Sequence, residues 1–285
     1  MQRNDKIKSG LLLYNQVYPL RIPLLLSIDE TFKQHTLFNG ITEGLSEISC
    51  HAAALSFGYS PHAPHSHKGE HLLILLSGNL NLIFMDELSS DKLKSIPIKK
   101  GQFIYYSSYF THAIKTTSKA PANYLIFSWY VGLKNIASFP TFNCFNMFDK
   151  IEYSDFKNGF YSQDIFKRTT GYLKKLNCNI SILMPGVDYK PHIDTYDVAI
   201  VILEGEVETM GQKVKPYDVI FWLRGEHNGM QNIGTTPARY IVFEFHTFNK
   251  VLTGKIFNIF SYLLTRLSEK GRLKRKLKKF FKFFK

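Results

Sequence analysis

Two stretches of this chain, TEGLSEISCHAAALSFG (42–58) and TGYLKKLNCNISILMPG (170–186), are versions of one another. At an offset of 128 residues Thr42 meets Thr170, Leu45 meets Leu173, Cys50 meets Cys178 and Gly58 meets Gly186. Further back, Phe38 meets Phe166. One residue is then lost. At an offset of 127, Pro64-His65-Ser66-His67 meets Pro191-His192-Ile193-Asp194, and LLILLSGNL (72–80) meets AIVILEGEV (199–207). After a shorter connection, GQFIYYSSYFTH (101–112) meets PYDVIFWLRGEH (216–227), which sets His112 against His227. The series closes with NYLIFSW (123–129) against RYIVFEF (239–245). Ordered matches with small indels in loop-like places are the mark of a duplicated folding unit.

Each copy reads as all-β. Short apolar or alternating runs (AAALSF, HLLILL, LNLIFM, FIYYSS, YLIFSWYV) are punctuated by Gly, Pro, Ser, Asn and Asp, the pattern of a sandwich or barrel. A length of 285 residues suits two such units. The irregular stretch FPTFNCFNMFDK (139–150) separates them. The expected organisation is a first domain over 1–135, a second over 136–249 and a tail over 250–285. The first thirty-odd residues are expected to add edge strands to the first copy.

The segment HSHKGEH (65–71) places three histidines and a glutamate before the apolar run LLILLSG. His65 and His67, two apart on a strand, face the same way. His71 joins them after a short turn. A nitrogen-rich set of this kind suits Fe, Ni, Cu or Zn better than Mg or Ca. A histidine-rich polar loop is the competing reading. Glu70 and His71 are neighbours, so strand alternation turns His71 inward and Glu70 outward. His62 reads as a surface loop residue.

These spacings resemble the cupin superfamily, and the doubling resembles a bicupin. The first motif of that family is G, five residues, HxH, three or four, E, six, G. Here Gly58 is followed by six residues, then His65-Ser66-His67, three residues, His71, six residues and Gly78. The second motif is G, five, PxG, two, H, matched by Gly101, Ser107-Ser108-Tyr109 and His112. His71 stands at the usual glutamate, and Ser107 and Tyr109 replace the Pro and Gly. The resemblance implies two tandem double-stranded β-helix (jelly-roll) barrels. It also implies a divalent transition metal (Fe, Ni, Zn or Cu) held by His65, His67, His71 and His112. A dioxygenase, isomerase or lyase acting on a small molecule would follow. The alternative is a non-catalytic small-molecule or sugar-binding accessory protein. Tyr105, Tyr106, Phe110 and Phe127 are expected as core and pocket wall together.

In the second copy Gly186, His192-Ile193-Asp194, Val198 and Gly205 keep the frame, but Val198 cannot ligate. Three readings stand for His192, Asp194 and His227: hydrogen-bonded remnants, a simple metal site, or a two-histidine-one-carboxylate centre. In the last, Arg239 would bind a carboxylate cosubstrate.

Cys50, Cys144 and Cys178 are odd in number and far apart, which excludes a disulfide scaffold and fits a reducing, cytoplasmic setting with each thiol a small buried hydrophobe. No signal peptide is expected, because Tyr14, Asn15, Gln16 and Pro19 interrupt the early apolar run. The net charge of +13 is concentrated in the tail, where Lys270, Arg272, Lys274, Arg275, Lys276, Lys278, Lys279, Lys282 and Lys285 occur without an acid among them. Leu273, Leu277, Phe280 and Phe284 recur there at helical spacing. A basic amphipathic helix on an anionic membrane surface fits this pattern. A solvated tail and, more weakly, nucleic-acid binding are the alternatives. A homodimer is a further expectation.

Overall fold

The computed structural model describes residues 11–248, apart from 22, 25, 28, 87–88, 133–141 and 148–157. The expected tail over 250–285 lies outside the described residues. Among the described residues there are nineteen strands, and no helix is long and apolar enough to cross a membrane. The described residues fall in one compact unit containing two barrels.

The large sheet of the first barrel runs β10 (Phe142–Asn146), β7 (Gln102–Tyr106), β4 (Glu70–Ser77), β9 (Ala122–Tyr130), β3 (Glu47–Leu55) and β2 (Phe32–Gly40). Its small sheet is β6 (Ser89–Lys99), β5 (Asn79–Asp86) and β8 (His112–Thr116). The large sheet of the second barrel runs β1 (Gln16–Tyr18), β17 (Val219–Trp222), β14 (Asp197–Glu204), β19 (Ala238–His246), β12 (Lys175–Leu183) and β11 (Phe160–Arg168). Its small sheet is β13 (Asp188–Ile193), β18 (His227–Asn232), β15 (Val207–Thr209) and β16 (Gln212–Val214).

The leading strands are exchanged. Strand β1 pairs with β17 of the second barrel, not with the first barrel as the sequence suggested. Strand β10, within the span assigned to the second domain, pairs with β7 of the first. Each copy therefore gives its first strand to the other, which sequence adjacency alone does not reveal.

The two large sheets pack face to face, with Phe38 and Phe221 centroids 5.1 Å apart, Phe127 and Phe243 5.8 Å, and Trp129 and Phe245 5.3 Å. This explains why LLILLSG lacks alternating polarity. In β4, Leu72, Ile74 and Leu76 enter the core between the barrels. Leu73 and Leu75 fill the first barrel's interior. In β14, Ala199 and Val201 face the shared core while Val198, Ile200 and Ile202 face inside. A strand buried on both faces reads as a continuous apolar run. At the end of β4, Gly78 takes φ 76° and a Cβ there would meet Ala122 Cα at 2.7 Å; its repeat mate Gly205, also at φ 76°, would meet Ala238 Cα at 2.6 Å. Both backbone strain and close approach thus require glycine there.

Glu70 does turn away from the barrel interior, as alternation predicts, yet it is not solvated: its exposure is 0%. Its carboxylate accepts hydrogen bonds from Tyr105 Oη (3.0 Å), Trp129 Nε1 (2.9 Å), Thr170 Oγ1 (2.6 Å) and the Gly171 amide (2.6 Å), the last two in the other copy. The repeat returns the contact. Buried Asp197 accepts from Thr42 Oγ1 at 2.5 Å and from the Arg224 amide at 3.0 Å. Each threonine also closes its own turn, Thr42 Oγ1 accepting from Leu45 N and Thr170 Oγ1 from Leu173 N, both at 3.0 Å.

Burial raises the Glu70 pKa, against hydrogen bonds that lower it. Removing the carboxylate orphans four buried donors, a loss of about 3 kcal/mol or more by analogy with broken buried networks. Urea unfolding should place Glu70→Ala at least that far below wild type and Glu70→Gln in between. A loss under about 1 kcal/mol for Glu70→Ala would show that the donors re-pair without cost.

Candidate metal centre

The interior of the first barrel contains a cavity of about 260 Å³. Its wall includes His51, His62, His65, His67, His71 and His112, with Gln34, Ser49, Ser128, Tyr106 and Tyr124 as further polar members and Phe32 and Ile126 as apolar ones. His71 enters from β4 and His112 from β8, and His65 is bridged directly to His112 in antiparallel fashion.

The rings lie close together. Centroids are 4.4 Å apart for His65 and His67, 4.8 Å for His67 and His71, 5.6 Å for His67 and His112, 5.7 Å for His65 and His112, and 6.5 Å for His71 and His112. With metal–nitrogen bonds of about 2.1 Å, two ligating rings at right angles have centroids about 4.5 Å apart and two opposite rings about 6.4 Å. The observed spacings span that range. As placed, no three His, Cys, Asp or Glu side chains among the described residues already present donor atoms to one ion. Turning a ring off its rotamer costs about 0.5–1.5 kcal/mol, against the roughly 10–16 kcal/mol that a structural zinc site supplies. The centroid spacings are those that ligation of one ion would need, while the rings as placed do not converge on it.

Two of the tautomers are set by the backbone. His65 Nδ1–H donates to Ala63 O at 3.0 Å and His112 Nδ1–H to Phe110 O at 2.9 Å. Each leaves Nε2 as the lone-pair atom, the usual outer-shell arrangement of a ligating histidine. His71 is buried, and its Nδ1 has no hydrogen-bond partner. A buried imidazole nitrogen left unpaired is costly, and an ion or polar ligand would relieve it. Tyr106 lies 5.0 Å from His71 and 4.2 Å from His112, and Phe110 stacks on His112 at 5.8 Å. Burial holds His67 below the usual histidine range and His71 well below it. It takes His112 down to about 4. These rings are thus neutral near pH 7, the state a metal ligand needs.

His51 is a cavity residue that the motif reading missed. It sits on β3 in phase with Ser49, and its Nδ1 is 3.0 Å from Thr36 Oγ1. Alternation through EISCHAAAL carries the signal. Of the expected aromatics, Tyr106 lines the cavity, whereas Tyr105 and Phe127 lie in the shared core and Phe110 packs inside the barrel. Glu70 does not line this cavity, since its carboxylate is on the opposite face. At the family's glycine position, Tyr109 takes φ 63°, a strained backbone for a side chain, and its amide donates to His67 O at 2.6 Å.

Of the candidate second trio, His192 Nε2 and Asp194 Oδ2 lie 3.4 Å apart, but His227 does not join them. His192 pairs across the ladder with Asn228, while His227 pairs with Ile193 and is exposed. Thus Asn228, not His227, occupies the place of His112. The reason is a one-residue slip. Tyr106 pairs with His71 as Trp222 pairs with Val198, which fixes the offset at 116 through this region instead of the 115 that matches the two histidines. A slip of one residue on a strand reverses every face. Arg239 is absent from the second cavity's wall and lies 3.6 Å from Glu204, so it cannot serve a cosubstrate there. Cys50 and Cys178 are buried as expected, but Cys144 is exposed.

No protein-family model matches the sequence, and no curated protein does. Solved structures do match. AerE from Microcystis aeruginosa superposes with a TM-score of 0.55 at 9% identity, covering 81% of this chain and 97% of that one. A cupin 2 conserved barrel domain protein from Leptotrichia buccalis gives 0.53 at 13%, covering 78% and 92%. The fold is a doubled cupin barrel. A variant of oxalate decarboxylase from Bacillus subtilis gives 0.51 at 12% identity, covering 78% and 79%. The cupin likeness at such identity establishes architecture and leaves chemistry to the residues.

Since burial lowers the His112 pKa from 6.5 to about 4, its stabilising contribution is complete above pH 6.5 and is lost as pH falls through about 4. Urea unfolding in chelator at pH 7 and 4.5 should show His112→Asn losing less stability on acidification than wild type. Equal losses would mean that the wild-type ring does not resist protonation.

Proposed function

We propose that the first barrel is the metal centre of a cupin-type enzyme acting on a small molecule. His65, His67, His71 and His112 would hold a divalent transition metal, Fe, Ni, Zn or Cu. The observation that carries this reading is the set of four imidazoles at ligating spacing on one cavity wall, two with Nε2 freed by backbone bonds. Four neutral ligands would leave such an ion its full charge, and it would supply Lewis-acid or redox chemistry to a bound compound if a coordination position stayed open. Gln34, Ser49 and Ser128 offer hydrogen bonds to a bound compound, and Phe32 and Ile126 offer it an apolar wall. Among the described residues no Lys or Arg lines the cavity, so an anionic group on the substrate would have to be met by the metal. The reaction belongs to the dioxygenase, isomerase or lyase class.

The non-catalytic alternative, a ligand-binding cupin, is favoured by one fact: among the described residues no three donor groups already meet at one point. Elemental analysis separates the two. Protein purified after supplementation should contain about one transition-metal ion per chain, falling several-fold in His65→Ala and His112→Ala. A wild type that takes up no metal would favour the binding protein.

A further inference from the structure

We infer that the second barrel is a separate, metal-free binding site for a small, neutral, polyhydroxylated compound of monosaccharide size. This goes beyond the metal chemistry proposed for the first barrel and does not depend on it. The interior of the second barrel contains a cavity of about 170 Å³. At about 30 Å³ per water, that is space for five or six water-sized groups, the scale of a pentose or hexose.

The residues that correspond to the metal set are already committed to one another. His65, His67, His71 and His112 are replaced in register by His192, Asp194, Val198 and Asn228. His192 Nδ1–H donates to Lys190 O at 3.0 Å, and its Nε2 faces the Tyr189 hydroxyl at 3.3 Å. Asp194 Oδ2 accepts from Asn228 Nδ2 at 2.7 Å. His192 Nε2 and Asp194 Oδ2 lie 3.4 Å apart and each already has a protein partner, and Val198 offers no lone pair.

What remains suits hydroxyl groups. Trp222 and Tyr196, the latter packed on His246 at 3.8 Å, are aromatic members of the wall, and Asn179, Ser181 and Glu244 are polar ones. An aromatic face covers the C–H side of a sugar ring while amides and carboxylates take its hydroxyls. Trp222 is 2% exposed, and its Nε1–H has no hydrogen-bond partner although the residue lines the cavity. A buried donor left unpaired beside a polar cavity points to a ligand acceptor. Charge narrows the class further. Among the described residues no Lys or Arg lines the cavity to meet an anion, and the Asp194 carboxylate disfavours one. Nor is a cation called for. Glu244 lies 2.8 Å from His246 Nε2 and 3.7 Å from Lys175 Nζ, and Asp194 is met by Asn228.

The chain has two tryptophans. Trp129 is fixed on Glu70 in the shared core, so ligand-dependent emission reports Trp222. Titration with D-glucose, D-xylose and myo-inositol should give a saturable emission shift with at least one of them, while glucose 6-phosphate gives none. Asn179→Ala should weaken that response about tenfold or more, and calorimetry on Trp222→Phe should show a comparable loss, with unchanged melting temperatures confirming the fold. His65→Ala should bind as wild type, which keeps this result distinct from any failure of the metal reading. No saturable response to any probe would overturn the inference. So would equal binding of the phosphate, loss of binding in His65→Ala, or a second metal equivalent lost in His192→Ala.

Discussion

The whole molecule depends on strands that are buried on both faces. In β4, Glu70 faces the other barrel and the next residue, His71, faces the inside of its own. The first carboxylate is one half of the joint between barrels, and the imidazole beside it is part of the candidate centre. Because the side-chain period of a strand is two, a slip of one residue would exchange them, putting a carboxylate in the cavity and an imidazole in the joint. The buried network of Tyr105, Trp129, Thr170 and Gly171 around Glu70 therefore also fixes the register that aims His71.

The joint is reciprocal and the cavities are not. Thr42 on Asp197 mirrors Thr170 on Glu70, and β1 and β10 are exchanged between the barrels. Duplication has kept what holds the copies together. Inside, His67 has become Asp194, His71 has become Val198 and His112 has become Asn228, so a nitrogen-donor wall has turned into a hydrogen-bonded one. A shared frame with two different interiors is what a repeat permits when its stability resides in the interface and its chemistry in a few inward positions.

Much of this was legible in the sequence. The repeat and the β class follow from spacing and alternation, the set of four first-barrel histidines is what the cupin resemblance implies, and the structure brings those four rings to one wall. Three things were not legible, each for a physical reason. The exchange of β1 and β10 is a matter of long-range pairing, which adjacent sequence does not encode. The depth of Glu70 depends on the partner barrel, since alternation gives the face of a residue but not what lies against it. The misplaced His227 came from matching two histidines across an indel. The ladder pairs His192 with Asn228, and only cross-strand register could correct that. His51 was within reach, because Ser49, His51 and Ala53 alternate in one strand, but no motif drew notice to it.

The claim on which the chemistry rests is that imidazoles from β4, β8 and the loop between β3 and β4 grip one ion. X-ray absorption at the edge of whichever transition metal the protein binds tests it most directly. The account predicts a first shell containing four imidazole nitrogens at about 2.0–2.1 Å, with the multiple scattering of histidine rings, and fewer of them in His71→Ala. A shell made of oxygen atoms, or one unchanged when His71 is removed, would contradict it.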